Sequence, residues 1–165
     1  MVTHYRTQGF VFRKEDRLEA DRVFTLFTRD FGRVEVAARA IRKITSKLRG
    51  GIEIFSLSQI EFIESSRRNT LIDALAIEKF GNIFESPEKI EVANQVSLIL
   101  HQFIRGQESD RRIWDLLHDF FGKLNTLPPS ANYKLAHHYF FWNFISLLGY
   151  APNLLQCAVC GKKLE

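Results

Sequence analysis

The pattern of apolar side chains changes once along this chain, and that change constrains the fold more than any motif does. Up to about residue 65, short runs rich in β-branched and aromatic residues predict strands at Phe10-Val11-Phe12, 23–28, 34–37, 52–55 and 59–64. Ile52 and Ile54 alternate with Glu53, and Ile60 and Phe62 with Glu61, which is the period of a half-buried strand. Turn-forming residues separate the runs at Lys14-Glu15-Asp16-Arg17, Arg29-Asp30-Phe31-Gly32 and Arg49-Gly50-Gly51. Five short strands joined by tight turns define a small sandwich or barrel, with the barrel favoured.

From Thr70 the spacing becomes helical. Leu71, Ile72, Leu75 and Ala76 predict a first helix that ends near Phe80-Gly81-Asn82. Ser86-Pro87-Glu88 supplies an N-cap, a proline for the first helical position and an acid in the first turn, for a helix running to Arg105 with Gly106 as its stop. Ser109-Asp110 opens the next, in which Ile113, Leu116, Leu117, Phe120, Phe121 and Leu124 share one face. After the break at Leu127-Pro128-Pro129-Ser130, a last helix over 131–148 stops at Gly149. The class is therefore α+β: a β-barrel domain over residues 1–80, a helical domain over 81–152 and a cysteine-bearing segment over 153–165.

Composition excludes several classes. With 165 residues, 45% hydrophobic and 25% charged, the chain has enough apolar surface, including 15 Phe, to fold around a core without disulfides. Two cysteines make no secreted framework, and 139–148, the most apolar stretch, is about half the length a membrane-spanning helix needs. The start of the chain lacks the apolar run of a signal peptide, so a soluble cytoplasmic protein is expected.

Charge is distributed unevenly. The formal net charge is +4, and all of that excess falls in residues 1–80. Between Gly32 and Gly50 there are six basic residues and one acid, Glu35. Arg39, Arg42, Lys43, Lys47 and Arg49 form an acid-free run that also contains Thr45 and Ser46, whose hydroxyls can donate to phosphate. Such a loop on a small barrel suits a phosphate backbone; the alternative is a solvated loop kept soluble by like charges. Arg13 and Lys14 would extend the track, while the neighbouring Phe10 and Phe12 read as core rather than as a stacking platform.

Cys157-Ala158-Val159-Cys160-Gly161 has the spacing that turns two thiolates toward one tetrahedral zinc, but it is half a site. Free thiols and a redox dithiol are the other readings. His101, His118, His137 and His138 read as core or surface histidines. The aromatic run 139–144 circles its helix, which predicts a helix central in a bundle. Glycine-rich phosphate loops, His-Glu-x-x-His and nucleophile elbows are absent from the sequence, so no catalytic signature is present.

The succession of these features resembles a known family. Residues 9–17, 19–28 and 39–50, followed by Phe55 and Leu57, resemble the N-terminal domain of the bacterial recombination mediator RecO. Leu147-Leu148-Gly149-Tyr150-Ala151-Pro152 leading into Cys157 and Cys160 is similar to the family's second domain as it enters a zinc module. The resemblance implies a five-stranded OB-fold barrel and a helical domain. It also implies a non-enzymatic, nucleoid-associated role in DNA repair and recombination. Such proteins bind single- and double-stranded DNA, anneal complementary strands, work with RecR, help load RecA on DNA coated by single-strand-binding protein, and bind that protein's acidic C-terminal tail. Carried over by position, Arg39, Arg42, Lys43, Lys47 and Arg49, with Arg13 and Lys14, become the expected DNA contacts. Cys157 and Cys160 become half of a zinc site. A non-catalytic interaction adaptor with an OB-fold is the alternative reading.

Two features depart from the family. Ala40 stands where a glycine is common, so that turn must either avoid positive φ or carry strain. Family members are also longer and have a second cysteine pair, so a fragment or a naturally shortened version is the expectation. Zinc is expected in a full-length form and not as a stable ligand of these 165 residues.

Overall fold

The computed structural model describes residues 3–17, 19–65, 68–157 and 159–163. Five strands come first: β1 (Thr3–Arg17), β2 (Asp21–Thr28), β3 (Gly32–Ala38), β4 (Ser56–Glu64) and β5 (Asn69–Lys79). They close into a barrel in the order β1-β2-β3-β5-β4. All neighbours are antiparallel except β3 and β5, which meet in parallel at Val36–Asn69 and Ala37–Thr70. This is the five-stranded Greek-key closure of an OB-fold. Val11, Phe24, Leu26, Val34, Val36, Ile60, Phe62 and Leu71 fill its interior.

Three helices follow: α1 (Pro87–Phe103), α2 (Arg111–Thr126) and α3 (Tyr133–Leu147). Each begins on a side-chain cap, with Ser86, Asp110 and Asn132 accepting from backbone N–H groups of the first turn. Gly149 ends α3 at φ 90°, the left-handed stop expected there.

The two parts share a second core. Phe10, Phe12 and Phe27 point out of the barrel and pack with Leu117, Phe120 and Phe121 of the helices. The Phe10 ring centroid lies 4.8 Å from Trp114 and 5.9 Å from Phe121. Both Phe10 and Phe12 are about 1% exposed, so they are core, as expected, and offer no stacking surface.

Several expectations are corrected. Residues 69–79 form the fifth strand and not a helix. They pair with β4 from Ser56–Lys79 to Ile63–Thr70, and the register shifts at Leu57/Ser58 and Glu61/Phe62. Those bulges erase the period-two signal, and only Leu71 of this strand is buried, so the helical spacing of Leu71, Leu75 and Ala76 is coincidental. Residues 52–55 form a turn, not a strand. Gly51 presses on the β5 backbone, where a Cβ would lie 1.8 Å from the Ala74 carbonyl oxygen, and Phe55 adopts φ 57°. Residues 14–17 are inside β1, whose ladder runs on to Arg17–Asp21. Helix α3 is not central: Phe140 and Phe144 are fully buried, but Leu135 and Trp142 are exposed.

Candidate nucleic-acid interface

The five cations of the acid-free run lie on the connection from β3 to β4. Ile41 and Ile52, both buried in the barrel interior, anchor its two ends. The Ala40 N–H donates to Asp21 Oδ1 at 2.8 Å, and the Arg42 N–H donates to the Ala20 carbonyl at 3.1 Å. Successive turn bonds from Lys43 to Ala40, Ser46 to Lys43 and Gly51 to Leu48 make the segment a chain of tight turns. Ala40 sits at φ 53°, in the left-handed region, so the alanine carries the strain of that turn.

Arg39, Arg42, Lys43, Lys47 and Arg49 are all exposed. Arg42 lies 3.7 Å from Asp16, whose carboxyl is held below its usual range chiefly by the Arg22 hydrogen bond, with Arg42 adding to it. Arg39, Lys43, Lys47 and Arg49 have no ion-pair partner among the described residues. Four unpaired cations on a tethered loop can meet successive phosphates with little rearrangement.

Arg13 and Lys14 are arranged differently. Arg13 bridges Glu15 at 2.6 Å and His101 Nε2 at 2.5 Å, and Lys14 pairs with Glu53 at 2.5 Å. Both are partly buried beside α1, apart from the exposed loop.

The helices pack on the barrel through Phe10 and Phe12 of β1, Phe27 of β2 and Leu57 of β4. Arg33 on β3 donates Nη1 to the carbonyls of His101 and Ile104, at 3.1 and 3.0 Å, and so caps the C-terminal end of α1. The 39–49 loop is exposed, and Tyr5, Phe31 and Phe62 line a pocket at one end of the barrel. Sequence reasoning missed that second region because its aromatics lie on three separate elements.

The cysteine segment forms a tight turn. The Cys157 N–H donates to the Lys162 carbonyl at 2.8 Å, the Gly161 N–H donates to the Cys157 carbonyl at 2.9 Å, and Gly161 adopts φ 70°. The N–H groups of Cys160 and Val159 hold the Cys157 thiol below its ordinary value. Two thiols so placed fit half of a tetrahedral zinc shell. No group of three or more His, Cys, Asp or Glu residues able to hold a metal occurs among the described residues. His118 meets Glu78 at 3.1 Å, and His137 and His138 contact each other at a centroid separation of 5.4 Å. No helix among the described residues is long and apolar enough to cross a membrane.

A five-stranded OB-type barrel joined to a three-helix unit, with a cationic loop between β3 and β4, defines the class. The family model for the N-terminal part of recombination protein O matches residues 1–80, and that for its C-terminal part matches residues 85–165. The chain belongs to the RecO family of DNA repair proteins. It is 29% identical to a DNA repair protein RecO of Dehalococcoides mccartyi, over 98% of this chain and 62% of that protein. It is 28% identical to a RecO of Roseiflexus, over 97% of this chain and 55% of that protein. The RecO of Heliobacterium modesticaldum is 29% identical, over 98% of this chain and 57% of its own length. The chain thus spans less than two thirds of the length of these relatives.

Proposed function

We propose that this chain is a non-catalytic DNA-binding module of a recombination mediator, which holds the phosphate backbone of single- and double-stranded DNA on the loop after β3. The observation that carries this reading is the set of four exposed loop cations without an ion-pair partner among the described residues, on a segment anchored at both ends by buried isoleucines. Annealing two strands requires their repulsion to be screened while the bases stay free to pair. A surface that contacts phosphates and does not grip bases firmly does this.

Within such a role the module anneals complementary strands and, with RecR, assists RecA onto DNA covered by single-strand-binding protein, whose acidic tail it also binds. Zinc belongs to a form in which two further ligands join Cys157 and Cys160. The work is cytoplasmic and nucleoid-associated. Annealing of two complementary labelled oligonucleotides, followed by energy transfer, tests the reading. The chain should accelerate annealing severalfold at low salt, and Arg39→Ala/Lys43→Ala/Lys47→Ala should remove most of the acceleration. An unchanged rate with the intact chain would favour an interaction adaptor.

A further inference from the structure

Tyr5 on β1, Phe31 in the β2–β3 turn and Phe62 on β4 line a cavity of about 180 Å³ at the open end of the barrel. Their rings form one cluster: Tyr5 is 5.2 Å from Phe31 and 5.4 Å from Phe62, and Phe31 is 6.3 Å from Phe62. At roughly 30 Å³ per water the space equals about six waters, the size class of one planar heterocycle. Asn69 and Gln107 stand on its rim and also line the adjoining cleft of about 520 Å³, into which Arg68 and Arg105 face.

The cleft is built by close packing. Gly32, at φ 59°, admits the α1–α2 connection so tightly that a Cβ there would lie 2.3 Å from the Glu108 carbonyl oxygen. Arg68 and Arg105 are exposed, with no ion-pair partner among the described residues. The acid of the cleft, Glu35, is already paired to Arg33 at 2.7 Å. An aromatic pocket thus adjoins two guanidinium groups open to a ligand, with two amides between them. Glu64 accepts from the Tyr5 hydroxyl at 3.0 Å and adds an acceptor at the pocket edge for the amino group of a base.

We infer that the open end of the barrel seats one unpaired nucleotide, its base against Tyr5 and Phe31, which Phe62 backs from the core, and its phosphate on Arg68 and Arg105. The inference rests on the DNA-binding reading above and adds a single-strand-preferring subsite, because a paired base would first have to unpair and unstack, at a cost of a few kcal/mol. Base stacking on aromatic side chains is sequence-tolerant and changes affinity by about tenfold per base.

The test uses the full chain with three ligands of equal phosphate count: a thymidylate 12-mer with one central 2-aminopurine, the same strand made abasic, and a duplex. The base-bearing strand should bind about tenfold more tightly than the abasic strand, with quenched 2-aminopurine fluorescence. Tyr5→Leu should abolish both the preference and the quenching while leaving duplex affinity unchanged. Arg68→Ala/Arg105→Ala, two surface changes that spare the core, should weaken single-strand binding and lower its salt slope by about one. Equal binding of abasic and base-bearing strands by the unaltered chain would overturn the inference while leaving the loop reading intact. So would quenching that survives Tyr5→Leu, or displacement of the 2-aminopurine strand solely by an acidic peptide ending in an aromatic residue. Loss of all binding in the 39–49 loop variant, with no base discrimination in the intact chain, would uphold the loop and sink the pocket.

Discussion

Arg13 Nη1 on the barrel lies 2.5 Å from His101 Nε2 on α1, and at that contact the imidazole accepts, so its proton is on Nδ1. Nδ1 is buried and has no hydrogen-bond partner among the described residues. Burial, then the charges of Arg13 and Arg33, push His101 below its ordinary value, against weaker opposing pulls from Glu35 and Glu15. The joint between barrel and helices is therefore built for a neutral histidine.

Acid should loosen that joint. Because the folded value is depressed, the unfolded chain binds the proton more readily, so this stability is complete above pH 6.5 and is lost as pH falls below it. Thermal unfolding between pH 7.5 and 5.5 should show a falling midpoint, and His101→Gln, which keeps an acceptor for Arg13, should flatten that fall. His137, depressed by burial and by His138, acts in the same direction and leaves a residual slope. An undiminished slope in His101→Gln would remove His101 from this role.

Ala40 at φ 53° carries a left-handed conformation that costs a non-glycine residue about 1–2 kcal/mol. Glycine relieves it, less its own larger unfolded-state entropy of about 0.5–1 kcal/mol. Ala40→Gly should stabilise the chain by about 0.5–1 kcal/mol, a rise of about 2–4 °C per kcal/mol in the thermal midpoint. DNA affinity should stay unchanged, since the turn already holds the geometry that glycine prefers. Urea titration of the two proteins checks the sign.

Arg33, whose side chain is 15% exposed, satisfies two carbonyls at the end of α1 while pairing Glu35. Charge-assisted bonds of this kind contribute about 1.5–3 kcal/mol. Arg33→Ala should cost about that much and raise amide exchange at the α1 C-terminal turn before it affects β1–β4. Uniform exchange across the molecule would contradict the capping role.

Gly51 lies against the β5 backbone, with 1.8 Å from its would-be Cβ to the Ala74 oxygen. Gly51→Ala should displace the loop or destabilise the barrel by several kcal/mol. A variant with unaltered melting and DNA affinity would mean that the anchoring is not needed.

The helices are legible in the sequence because Ser86-Pro87 and Asp110 are strong local starts and Gly149 a strong stop, signals that tertiary packing does not override. The barrel is legible as a set of five strands, but two assignments within it are exchanged. Residues 52–55 alternate like a strand yet turn, because Ile52 serves as a plug, and 69–79 form a strand whose alternation two bulges break. Phe10 and Phe12 read correctly as core. The cationic run is visible because its charges are contiguous. Tyr5, Phe31 and Phe62, and the pairing of Arg13 with His101, join residues up to 88 positions apart and leave no trace in local spacing.

If unpaired cations on the 39–49 loop hold DNA phosphates, binding must weaken with salt in proportion to the number of phosphates they neutralise. Fluorescence anisotropy of labelled single-stranded DNA, at several salt concentrations, tests this most directly. Log affinity should fall linearly with log salt. Arg39→Ala/Lys43→Ala/Lys47→Ala, which removes three of the four unpaired cations, should flatten the slope by about two, since each phosphate neutralised on a single strand adds about 0.7. The same slope and affinity in the variant, or no binding by the unaltered chain even at low salt, would contradict the account.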